Sequence, residues 1–174
     1  MNPSSFKQGV ILAVLAVALV FTACENHNGE SNPPVLSVKV LSQPGCNNLK
    51  SAIRSPALAD SFSCVNYSYN AASGKLWVKH LNTGFNCCPD SLYCKADLRG
   101  DSLIVQEMEK KAGCKCNCLF DLDMEISGLT ARKYQVRFIE PYCGDQKPLI
   151  FEIDLSGKAE GSFCVRRNRY PWGI

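Results

Sequence analysis

Eleven cysteines in 174 residues constrain this chain more than any other feature, and ten of them lie between Cys46 and Cys164. What those sulfurs do depends on where the protein lives. In the cytosol they would imply metal or redox chemistry; outside it, thiols that meet are oxidised to bridges. The opening residues decide between the two. Lys7 supplies a positive charge, Val10 to Phe21 is an unbroken apolar run of twelve, and Thr22 and Ala23 follow it. A basic lead, a short apolar stretch and small residues at a cut site make a secretory signal. The run is too short to span a bilayer, whose ~30 Å hydrocarbon core takes about 20 helical residues. Disulfides are therefore the expectation.

The segment Phe21-Thr22-Ala23-Cys24 resembles the lipobox of bacterial lipoproteins. That resemblance implies a signal peptide over residues 1–23, with Cys24 lipidated as the first residue of the mature chain and anchoring it to a membrane. Glu25 in place of aspartate resembles sorting to the outer membrane. The expected location is the bacterial cell envelope. With Cys24 taken by lipid, the even set Cys46, Cys64, Cys87, Cys88, Cys94, Cys114, Cys116, Cys118, Cys143 and Cys164 remains, enough for five bridges. Ten cysteines allow on the order of a thousand pairings, so connectivity stays open.

Residues 25–34 carry nothing apolar to bury and end in Pro33-Pro34, so 24–34 reads as the lipidated cysteine and a flexible tether. Residues 35–174 are enough for one domain. The nineteen Lys and Arg, one of them Lys7 in the signal, stand against sixteen Asp and Glu, a balance that excludes nucleic acid as an expected partner. Arg166, Arg167 and Arg169 near the end read as a solvated edge.

Period-two alternation predicts strands over residues 35–41, 61–69, 75–81, 93–98, 102–107, 118–126, 134–140, 149–155 and 162–166. Ser73-Gly74 and Arg99-Gly100-Asp101 read as turns, the second closing a tight hairpin. Only residues 47–60 could hold a helix, and Pro56 keeps it short. The fold class is all-β, an antiparallel sandwich.

Ile126 to Phe138 resembles the tyrosine-corner region of fibronectin type III and other immunoglobulin-like domains. The resemblance implies an immunoglobulin-like β-sandwich in which Leu129 precedes the loop. Tyr134 then opens the next strand with its hydroxyl hooked back onto backbone, and Trp77 fills the place of the buried tryptophan on a central strand. The stretch Trp77 to Phe138, with a His-bearing strand, an Asn-Cys-Cys loop and C-x-C-x-C, is similar to uncharacterised lipoproteins of environmental and gut bacteria. That likeness implies kinship and no activity.

Chemistry concentrates at Asn86-Cys87-Cys88 and Cys114-Lys115-Cys116-Asn117-Cys118. An extended second segment puts its three sulfurs on one face. The main expectation is that they bridge to other segments, because cysteines two apart on a strand are poorly placed to pair with each other. The alternative is an extracytoplasmic metal site for zinc or copper using Cys87, Cys88, Cys114, Cys116, Cys118 and His80. No catalytic motif is present, His80 is the one imidazole outside the tether, and no cofactor is expected. Asp121 and Asp123 share a face that reads as the wet one. The expected role is a non-catalytic binding or structural module, attached to the membrane by its lipid, with an envelope protein or a glycan as partner. The aromatic Tyr170-Pro171-Trp172 near the end is a candidate contact patch.

Overall fold

The structure is a computed structural model, and it describes residues 35–42, 45–46 and 61–169. The signal, Cys24, the tether, the short helix expected within 47–60 and the aromatic end at 170–174 lie outside the described residues. Nine strands form among those described: β1 (Ser37–Ser42), β2 (Phe62–Asn70), β3 (Lys75–Asn86), β4 (Pro89–Arg99), β5 (Ser102–Ala112), β6 (Asn117–Ser127), β7 (Lys133–Ile139), β8 (Ile150–Asp154) and β9 (Glu160–Arg166). Each falls on a segment read as a strand from its alternation. They make two sheets, a five-stranded one in the order β1-β6-β3-β2-β9 and a four-stranded one in the order β4-β5-β7-β8.

Alternation decides which side chains meet between the layers. Leu76, Val78 and His80 of β3 point inward with Val65 of β2 and Leu122, Met124 and Ile126 of β6. Opposite them stand Leu103 and Val105 of β5, Tyr134, Val136 and Phe138 of β7, and Phe151 and Ile153 of β8. Phe151 stacks on Phe138 within its own sheet and on Phe163 of β9 in the other, with centroids 4.6 Å apart in the second pair. That ring contact closes one side of the sandwich.

The tyrosine corner is present. The Tyr134 hydroxyl donates to the Thr130 carbonyl at 3.0 Å and accepts from the Thr130 N–H at 3.1 Å, while Leu129 is buried ahead of the loop. The Tyr69 hydroxyl donates to the Leu129 carbonyl, tying this loop to the β2–β3 hairpin. Gly74 turns that hairpin at φ +64°, where a Cβ would meet the Leu129 carbonyl at 2.9 Å, so the close approach itself requires glycine. The β4–β5 hairpin closes through Gly100 and Asp101, as the sequence predicts, with Arg99 paired to Ser102.

Two expectations need correction. The sandwich is not wholly antiparallel: β5 and β7 pair in parallel, Leu103 opposite Val136. The intervening β6 belongs to the other sheet, so the chain reverses twice before returning beside β5. Trp77 is not the buried tryptophan. Leu76, Val78 and His80 take the inward positions of β3, and parity turns Trp77 outward, 38% exposed.

Candidate functional site

Sulfur chemistry resolves into four bridges among the described residues: Cys46–Cys118, Cys64–Cys164, Cys87–Cys116 and Cys88–Cys114. The local reason is register. Pairing of β3 with β6 brings Phe85 opposite Cys118 and Asn86 opposite Asn117, and the Cys87 N–H then donates to the Cys116 carbonyl. Asn86 fastens the same corner through its side chain, donating to the Cys114 carbonyl at 2.6 Å and accepting from the Cys88 and Cys114 N–H groups. The adjacent Cys87 and Cys88 thus bond to separate partners on another segment, as expected.

The residues of the zinc or copper alternative take these places. Cys87, Cys88, Cys114, Cys116 and Cys118 are all spent in bridges, and His80 bonds to none of them. The fifth bridge is corrected: Cys94 and Cys143 hold free thiols. Cys94 lies on the inward face of β4 opposite Glu107, where burial and then the Glu107 charge push its thiol far up. Cys143 sits between β7 and β8 and accepts from an Arg167 N–H at 2.9 Å. Burial first, then Glu140, raises its thiol against the opposing Arg167.

Between the sheets, His80 forms the centre of a polar network. Its Nδ1 lies 2.6 Å from Glu107 Oε1 and its Nε2 2.8 Å from Ser63 Oγ, while the Thr83 hydroxyl donates to Glu107 Oε2 at 2.7 Å. Glu140 Oε1 is 3.9 Å from His80 Nε2, and its other oxygen pairs with Arg167, which also donates to the Lys147 carbonyl. Burial works to lower the His80 pKa, but the charge and hydrogen bond of Glu107, with Glu140 behind them and Arg167 opposing, leave it raised. Burial likewise raises Glu140, where Glu107 adds to the effect and His80 and Arg167 oppose it.

Serine, imidazole and carboxylate in this order are the parts of a nucleophile relay. Here Ser63 and His80 are fully buried and Glu107 is 1% exposed, which closes Ser63 Oγ off from solvent. An imidazole that keeps both protons to higher pH also lacks the lone pair that would accept one from the serine. The network fits the rule that buried charges persist when paired and hydrogen-bonded.

The open feature lies on the opposite side of the same strands. The outer face of the five-stranded sheet carries a groove of about 430 Å³ lined by Leu41, Asn66, Ser68, Trp77, Lys79 and Asp123, with apolar surface prevailing. Register places these side chains in rows across the strands: Glu125, Trp77 and Ser68 in one, Asp123, Lys79 and Asn66 in the next. Lys75 bonds Glu125 at 2.9 Å and Lys79 pairs with Asp123 at 3.4 Å. Lys75, chiefly by its hydrogen bond, holds the Glu125 carboxyl below the usual range, and the Trp77 indole N–H adds a further bond.

Two aspartates read as one wet face divide. Asp123 keeps to the solvent side with Lys79 and with Ser42, whose hydroxyl donates to it at 3.0 Å. Asp121 is buried and accepts the Asn82 N–H at 3.2 Å, where β3 bulges and Asn82 adopts φ +59°. Arg167, read as part of a solvated edge, is 2% exposed against Glu140.

The partners of His80 escaped the sequence reading, though a signal was there. Glu107 occupies the third inward place after Leu103 and Val105, and an acid at a core position demands a buried partner. Glu140, Arg167 and Ser63 offered no comparable mark. Searches against protein-family models, characterised proteins and solved structures find no match for this chain.

Proposed function

We propose that the protein is a lipid-anchored, non-catalytic binding module of the bacterial cell envelope. The observation that carries this reading is the open groove around Trp77, an aromatic ring held on a sheet that bridges and a packed core make rigid. Binding sites are concave, mostly apolar and edged by a few fixed polar groups, and this groove has that make-up. The eight bridged cysteines support an oxidising compartment, and the lipobox-like sequence ending at Cys24 supports attachment at the membrane surface. Sealing of Ser63, His80 and Glu107 supports a role without catalysis.

The test is fractionation of cells expressing the full chain or its Cys24→Ser variant, with intact mass measured on each. The wild-type protein should enter the membrane fraction carrying acyl mass, and the variant should leave it. Both should weigh eight hydrogens less than their reduced forms, two per bridge. Cytosolic protein with free thiols would overturn the reading. Stoichiometric zinc or copper on free thiols would replace it with a metal-binding one.

A further inference from the structure

We infer that the Trp77 groove binds a neutral saccharide chain, an inference that rests on the binding-module reading and names its ligand. The argument begins with charge. Around Trp77 the outer sheet face carries Lys39, Lys75 and Lys79 against Asp123, Glu125 and Glu160. Four of these six are already joined, as Lys75–Glu125 and Lys79–Asp123, on either side of the ring. An anionic or cationic polymer would have to break those pairs to gain its own. The complementary ligand carries no charge.

Shape and polarity narrow the class further. The indole and Leu41 make the groove's surface mainly apolar, and Asn66, Ser68, Lys79 and Asp123 edge it with polar groups. Trp77 stands opposite Glu125 across the β3–β6 pair and stays 38% exposed. A sugar ring offers what this surface lacks: a face of C–H bonds to lie on an aromatic plane, and hydroxyls around its rim. Asn66 supplies both donors and acceptors, Ser68 a hydroxyl, and Asp123 further lone pairs. These groups lie on neighbouring strands at either side of Trp77. The groove runs across β1, β6, β3 and β2, and its volume falls in the range of small-ligand sites.

The experiment is calorimetric titration of the full chain, purified in a detergent without a sugar headgroup. The probes are neutral oligosaccharides of glucose, mannose and N-acetylglucosamine in α and β linkage, with polygalacturonate as the acidic comparison. At least one neutral oligosaccharide should bind, with an affinity unchanged within about twofold from about 0.05 to 0.5 M salt. Trp77→Ala should weaken it about thirtyfold or more, as loss of a central aromatic does. Trp77→Phe, which keeps a stacking face and the strand, should retain most of the affinity. Asn66→Ala, with the ring intact, should lose up to about tenfold. Variants are compared only after circular dichroism and thiol count match the wild type. Absence of neutral binding, binding indifferent to Trp77→Ala, or preference for polygalacturonate that collapses in salt would each overturn the inference. Those outcomes leave the membrane fractionation result standing, whereas cytosolic protein would overturn the parent reading whatever the titrations show.

Discussion

At His80 the folded protein grips a proton more tightly than the unfolded chain, where imidazole titrates near 6.5. The stability this contributes is fully present below that value and fades as pH rises through the higher folded-state value. Glu140, also raised, acts with the same sign from its ordinary 4.5 upward. Guanidinium unfolding should therefore show stability falling as pH rises above about 6.5. In Glu107→Gln that fall should shrink or vanish, because the largest influence raising His80 is gone. The same variant should lose about 3 kcal/mol at pH 6, the usual cost of removing one member of a buried pair. Tyr134→Phe should lose about 1 kcal/mol, because the hydroxyl's bonds to Thr130 disappear while the ring stays packed. Tyr134 was legible from sequence because the hook is local, four residues long. The His80 network was mostly illegible because its members sit on β2, β3, β5 and beyond, and only tertiary packing joins them.

Strands were the legible scale. Alternation found all nine described strands because each buries one face, and parity then fixes every side chain in it. Sheet membership was another matter: which strands share a sheet depends on long-range pairing, and the parallel β5–β7 contact has no mark in the sequence. The cysteines could be counted but not paired for the same reason. Once the structure pairs them, their contributions can be separated. Cys87–Cys116 and Cys88–Cys114 close loops of 29 and 26 residues that are nested one inside the other. Either alone should provide most of the ~3.5 kcal/mol expected for a loop of that size. Replacing one pair by alanines should cost about 1 kcal/mol, and replacing both pairs several times that. Cys64–Cys164 spans 100 residues with no such companion, so its removal should cost about 4 kcal/mol. Urea unfolding of the paired-alanine variants checks all three values.

Across the whole molecule the two faces of the same strands carry different work: the inner one holds core and polar network, the outer one the Trp77 groove. Of the two free thiols, Cys94 lies on the inward face of β4 and Cys143 half-buried in the β7–β8 connection, and both are pushed up. Iodoacetamide at pH 8 should therefore modify Cys94 and Cys143 slowly in the folded protein. Both should react together once urea unfolds it, at two labels per chain beyond any at Cys24, counted by mass. Adjacency of Cys87 and Cys88 bears on how the protein matures. Exchanging their partners would close loops of almost the same length, so chain entropy scarcely distinguishes right from wrong. The choice falls to the β3–β6 ladder, whose register sets Cys87 against Cys116. An oxidant that acts faster than that ladder forms would trap the swapped isomer. In oxidative refolding of the reduced chain, yield should follow an added disulfide isomerase more closely than the oxidant.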